Sequence, residues 1–146
     1  MTQLDNLYRE IIMEHFKYPR NKGLFDDPAY RKYRYKNPSC GDDVTVQTKV
    51  QNDVVADCRQ DGFGCSICCA SASIMTEMMI GKNVDEAKKT AETFIAMVKN
   101  EAYDESIDLE EAEAFRGVRM FPARTKCATI AWLAFLETLM RGEGDE

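Results

Sequence analysis

With 146 residues, 45% apolar and 30% charged, the chain has the size and composition of one soluble domain that buries a core without disulfide staples, which excludes a disordered chain. No apolar run approaches the roughly 20 residues that span a bilayer, and the polar, helix-periodic start from Met1 to Leu7 lacks the apolar stretch of a secretory signal. Acidic residues outnumber basic ones 25 to 19, and a net charge of -6 repels nucleic acid. The expectation is a cytoplasmic chain with no membrane partner, one domain over residues 1–146, whose six cysteines read as metal-binding or catalytic before they read as a disulfide framework.

Leu4, Leu7, Tyr8, Ile11, Ile12 and His15 recur at three- and four-residue spacing, which predicts an amphipathic helix ending before Pro19. His15 lies on that apolar stripe with no ligand partner at helical spacing, so it reads as a packed histidine. Tyr30 to Lys36 interleaves basic and aromatic residues. With this net charge it reads as an edge strand, Tyr33 and Tyr35 on one face and Lys32, Arg34 and Lys36 on the other, fit to meet an acidic protein partner. Val44, Val46, Thr48 and Val50 alternate with polar residues, Gln51-Asn-Asp53 supplies a tight turn, and Val54 to Arg59 returns, so Asp43 to Phe63 is a predicted hairpin.

The stretch Gly62-Phe-Gly-Cys-Ser-Ile-Cys-Cys-Ala-Ser-Ala-Ser73 releases a strand into a helix that stops at Gly81. Its early small residues let a neighbouring element approach closely. Asn83 with Glu86 caps a next helix, whose stripe is Val84, Ala87, Ala91, Phe94, Ile95 and Val98. An acidic link leads to a short helix capped by Asp108 and ended by Gly117. The last helix starts near Pro122 to Thr125 with Ile130, Leu133, Ala134, Leu136 and Met140 inward, and the tail 142–146 is a solvated end. Together these predict an α+β fold, a small three-stranded antiparallel sheet packed against several helices.

Cys65 and Cys127 each fall in the first turn of a predicted helix, where unpaired backbone N–H groups and the positive end of the dipole favour thiolate. Cys40 sits in a loop between Pro38 and Gly41, close to Asp42. Three sulfurs and one carboxylate suit tetrahedral zinc and tolerate iron. Four negative charges about a divalent ion leave two in excess, which the helix N-termini and nearby Arg124 and Lys126 offset. Cys65-Ser-Ile-Cys68 also spells the CxxC of redox sites, but the βαβ context of that motif is missing. Cys58 and Cys69 read as small buried residues; Cys68, one turn after Cys65, could border the site.

Several motifs carry a resemblance: Leu7-Tyr-Arg-Glu-Ile-Ile-Met-Glu-His-Phe-Lys-Tyr-Pro-Arg-Asn-Lys-Gly23, Asn37-Pro-Ser-Cys-Gly-Asp42, Gly62-Phe-Gly-Cys-Ser-Ile67, Ala70-Ser-Ala-Ser73 and Phe121-Pro-Ala-Arg-Thr-Lys-Cys-Ala128. In this order, over nearly the whole chain, they resemble the IscU/NifU N-terminal family, and most of all its SufU branch. The resemblance implies a part in iron–sulfur cluster assembly. It implies zinc held by Cys40, Asp42, Cys65 and Cys127, and a catalytic Cys40 that accepts persulfide sulfur from a SufS-type cysteine desulfurase. Other cluster-assembly proteins would be further partners. Two features matter to the branch: Lys126 stands where scaffold members have histidine before the third cysteine, and roughly Asn83 to Gly117 looks like the extra segment of SufU-like members. Cys68 and Cys69 depart from that branch's usual pattern. The alternative function is a non-catalytic scaffold for a transient [2Fe-2S] cluster on the same cysteines, with iron as the working metal; a purely structural zinc is a third.

Overall fold

The structure, a computed structural model, describes residues 3–38 and 41–140. Three strands, β1 (Arg31–Asn37), β2 (Asp42–Gln51) and β3 (Val54–Phe63), pair antiparallel in the order β1-β2-β3. Four α-helices follow the expected places: α1 (Gln3–Lys17), α2 (Ser66–Met79), α3 (Val84–Val98) and α4 (Thr125–Met140). Two 3-10 segments, Glu110–Met120 and Pro122–Arg124, complete the described residues. The fold is α+β, with α4 against β1 and β2 and α2 against β3. None of these helices is long and apolar enough to cross a membrane.

The β2–β3 turn has Asn52 at φ 54° and Asp53 at φ 63°, the two left-handed residues that a tight two-residue hairpin needs. They place Gln51 opposite Val54 and, at the far end, Asp43 opposite Phe63. Val44, Val46 and Thr48 face the core as expected, while an irregularity at Lys49/Val50 turns Val50 part way out. On the edge strand Lys32, Arg34 and Lys36 point to solvent and Tyr33 and Tyr35 inward, and Arg34 forks onto Asp43 at 2.5 and 2.9 Å.

The core centres on Trp132, stacked on Phe94 at 3.9 Å, with Phe115 edge-on to Phe94 at 5.9 Å. Trp132 Nε1 donates to Ser71 Oγ at 2.8 Å, and that hydroxyl donates to the Ala128 carbonyl at 2.6 Å, so the buried polar groups between α2 and α4 are satisfied. Ala70, Ser71, Ala72 and Ser73 are all fully buried, which is the close approach that their size permits.

Three local expectations change. The predicted Asp108-to-Gly117 helix is instead a run of 3-10 turns reaching Met120; Asp108 Oδ1 does accept from Glu110 N at 2.8 Å, but exposed Gly117 ends nothing. On α4 Ile130 and Ala134 are buried as expected, but Leu133 and Leu136 are only partly so and Trp132 and Phe135 are fully buried as well, because this helix is covered by the sheet on one side and by α2 and α3 on the other; Met140 is exposed. Only the C-terminal half of the α1 stripe is docked, leaving Leu4 and Leu7 about half exposed.

Candidate metal centre

Asp42, Cys65 and Cys127 converge, with their ligand atoms all within 4.8 Å of one another. Three elements deliver them. Asp42 opens β2, Cys65 is the N-cap of α2, and Cys127 lies in the first turn of α4. Pairing of Asp43 with Phe63 lays Asp42 beside Gly64, which has φ +141°. A Cβ at Gly64 would stand 2.0 Å from Asp42 Oδ1 and 2.8 Å from its carboxyl carbon, so the carboxylate occupies the space that any side chain there would fill.

Two of these atoms also accept hydrogen bonds from backbone N–H groups at the start of α2. Asp42 Oδ1 accepts from Cys65 N at 3.1 Å, and Cys65 Sγ accepts from Cys68 N at 3.5 Å. Both acceptors are thereby anchored at the positive end of the helix. Asp42 and Cys127 are each 1% exposed, whereas Cys65 is partly open to solvent. Cys65 Sγ and Asp42 Oδ2 are 4.0 Å apart; ligand edges in tetrahedral zinc with sulfur and oxygen donors are about 3.5–3.8 Å. Two sulfurs and a carboxylate thus fit a zinc-type ion with small adjustment.

Arg124, at the end of the second 3-10 segment, has its pKa raised above the ordinary guanidinium value, first by hydrogen bonding with Cys127 and then by the field of Cys65 and Cys127. Three further cysteines, Cys58, Cys68 and Cys69, have raised pKa values, which favours the thiol. Burial pushes Cys58 up to about 12. Burial, followed by the field of Asp42, pushes Cys68 well above its usual range. Cys69 is raised by burial against an opposing pull from Lys22, and it is only half-buried, with its Sγ 3.7 Å from the carbonyls of Gly62 and Gly64. No disulfide joins the five described cysteines.

Cys40, expected as fourth ligand and sulfur acceptor, lies outside the described residues, as does the tail 142–146. Asp42, Cys65 and Cys127 are brought together. His15 is buried as read: its Nδ1 lies 2.7 Å from Ser73 Oγ and its Nε2 2.9 Å from Glu111 and 3.8 Å from Glu77. This second cluster of possible ligands was not signalled in sequence, because Glu77 and Glu111 come from distant elements. Arg20 approaches Glu14 at 2.8 Å and Glu77 at 3.7 Å, so the cluster is already an ion network joining α1 to α2 and the long 3-10 segment. Beside Cys65, an apolar cleft of about 530 Å³ opens among Leu4, Tyr8, Ile12, Ile67, Val118 and Phe121.

Fold and site together define a small α+β domain built around a candidate metal centre at two helix N-termini. A family model, the NifU-like N-terminal domain, matches residues 7–128, and the chain belongs to that family. It is 44% identical over 143 residues to the zinc-dependent sulfurtransferase SufU of Bacillus subtilis, covering 98% of this chain and 96% of that one. To the iron-sulfur cluster assembly scaffold protein IscU of Streptococcus pyogenes serotype M1 it is 36% identical over 141 residues, covering 97% and 87%. Among solved structures, FiSufU of Fervidobacterium islandicum AW-1 superposes with TM-score 0.82 at 32% identity over 89% of this chain and 94% of that one. The N-terminal part of a NifU-like protein of Brucella abortus gives 0.78 at 25% over 94% and 95%.

Proposed function

We propose that this chain is a single IscU/SufU-like domain over residues 1–146 that serves iron–sulfur cluster assembly in the cytoplasm, accepting persulfide sulfur at Cys40. Zinc would be held by Cys40, Asp42, Cys65 and Cys127. The observation that carries the reading is the convergence of Asp42, Cys65 and Cys127 within 4.8 Å, in a chain 44% identical to a protein named as a zinc-dependent sulfurtransferase. When bound, zinc supplies Lewis acidity that keeps its thiol ligands deprotonated at neutral pH.

The protein's own residues divide the work. Cys65 and Cys127, fixed at the starts of helices, would retain the ion, and Asp42, locked against Gly64 and Cys65 N, would present a hard oxygen donor to it. Cys40, next to Gly41 at φ +81°, supplies the nucleophile. Its thiolate attacks the outer sulfur of a donor persulfide, forming a new S–S bond while the donor's S–S bond breaks and the donor's inner sulfur leaves as thiolate. A cysteine desulfurase is the donor, and a SufS-type enzyme the specific partner.

A scaffold role for a [2Fe-2S] cluster draws support from the 36% identity to IscU, but Lys126 is exposed and offers no imidazole where scaffold members have one. The test is stimulation of a SufS-type desulfurase by the parent and by Cys40→Ser, with circular dichroism to confirm that the variant folds. Loss of stimulation in a folded variant is expected. Retained stimulation would sink the sulfur-acceptor reading.

A further inference from the structure

The long 3-10 segment Glu110–Met120 turns once every three residues, so its side chains fall in eclipsed rows. Ala112, Phe115 and Val118 form the buried row. Glu110, Glu113, Arg116 and Arg119 form another, whose charges find partners up to the last. Glu110 approaches Lys82 at 3.6 Å, and Arg116 grips Glu113 through Nε at 3.1 Å and Nη2 at 2.6 Å. The row neighbour of Arg119 is Arg116, a like charge. Arg119 Nε and Nη2 are both buried, and neither has an acceptor among the described residues. That edge of the guanidinium is the one that takes a carboxylate elsewhere in the chain, Glu113 for Arg116 and Asp43 for Arg34. Buried N–H groups without acceptors are rare in folded proteins, because each loses its water without gaining a partner.

The same row borders an apolar cleft. Arg116 lines the cleft of about 530 Å³ beside Cys65, as do Arg9, Asp5 and a set of apolar side chains, and Arg119 lies about 6 Å further along the segment. Just past it, Met120 and Phe121 are 74% and 64% exposed, large apolar residues left in solvent. We propose that the cleft and Arg119 together form a docking site for a protein partner that presents a carboxylate next to a bulky apolar side chain. The carboxylate forks onto Nε and Nη2 of Arg119, and the apolar side chain enters the cleft. A planar guanidinium edge meets a carboxylate in two parallel bonds, which fixes orientation as well as adding strength. Arg119 as a whole is only partly buried, so rotation of its side chain brings that edge to the partner. In a chain of net charge -6, a guanidinium edge without an acceptor among the described residues selects an acidic segment over a basic one. Docked there, the partner lies against Ser66 and Ile67, directly after Cys65, and so beside the candidate metal centre without using its ligands.

The experiment titrates the isotope-labelled full chain with the peptide acetyl-Glu-Phe-Leu-Glu-amide, and with its counterpart in which both glutamates are glutamine, following backbone amide and arginine Nε–H signals by NMR. The parent, Arg119→Gln and Arg119→Lys are compared, with circular dichroism to confirm that each variant folds. On the parent, the acidic peptide should move the amides of residues 117–121, Tyr8 and Ile67 and shift the Arg119 Nε–H proton downfield. It should bind about tenfold or more tightly than the glutamine peptide. Arg119→Gln should erase that difference, so that the change in the protein and the change in the peptide together lose no more than either alone. Arg119→Lys should recover part of the affinity, because an ammonium keeps the charge and loses the fork. Equal binding of the two peptides by the parent, shifts confined to other faces, or no binding at all would overturn the proposal. Decanoate binding as tightly as the acidic peptide would also overturn it, by making the site one for a lipid acid. A dimer of the parent that Arg119→Gln dissolves would do the same, by making this face an interface between two copies. None of these outcomes bears on sulfur acceptance at Cys40, which the Cys40→Ser variant tests separately.

Discussion

Gly64 shows how little room one residue of this centre has. Its φ of +141° lies where side chains are rarely tolerated, and a Cβ would meet Asp42 Oδ1 at 2.0 Å. Gly64→Ala should therefore push the Asp42 carboxylate out of place, lower stability by about 1–3 kcal/mol and weaken zinc binding about tenfold or more. Gly41→Ala is the matched control, since φ is +81° there but nothing among the described residues lies within 4 Å of the added Cβ; it should destabilise and keep most of the metal affinity. Denaturant unfolding and chelator competition on the two variants separate strain from loss of a ligand. The position of Cys65 at a helix cap was legible in the sequence, because two glycines follow an alternating strand and precede small helical residues. The different duties of those glycines were not. Gly62 makes room against Val44 and Ala72, and Gly64 makes room for a carboxylate 22 positions earlier, which only the β2–β3 register reveals.

At the scale of elements, the hairpin and the two long helices after it could be read because period-two alternation, an Asn-Asp turn and the Asn83 cap all act locally; Asn83 Oδ1 does accept from Glu86 N at 2.7 Å. The burial of α4 could not be read in the same way. A helix covered on two sides loses its polar stripe, so spacing pointed to Ile130 and Ala134, which are buried, and to Leu133 and Leu136, which are only partly so, and it passed over the fully buried Trp132 and Phe135. Another long-range tie fixes the entry to β1: the Tyr30 hydroxyl donates to Asp57 Oδ2 at 2.6 Å, and burial, with that bond, pushes its pKa up to about 12. Because the folded value is raised, the folded state holds this proton more tightly than the unfolded chain. The resulting stability is complete below the unfolded value of about 10 and is lost as pH rises through about 12. Ultraviolet titration of the six tyrosines should find one ionising later than the others, and Tyr30→Phe should abolish that late step. If all six titrate together near their ordinary value, the Tyr30–Asp57 tie is absent in solution.

Across the whole molecule, the sheet and α2 fix one side of the centre and α4 the other, so that the two cysteines held on helices meet Asp42 on a strand. Chain order alone hid that meeting. The candidate ligand residues are widely spaced and lack the paired knuckles that announce zinc locally, and a resemblance across several motifs had to connect them. The His15 network likewise joins α1, α2 and the long 3-10 segment through residues far apart in sequence, leaving His15 readable only as a packed histidine. The most direct test of a zinc centre in sulfur transfer is elemental analysis of protein purified without added metal, for the parent and Asp42→Ala. About one zinc per parent chain, reduced in the variant, is the expected result. Iron with acid-labile sulfide in the parent, or no stoichiometric metal, would contradict it.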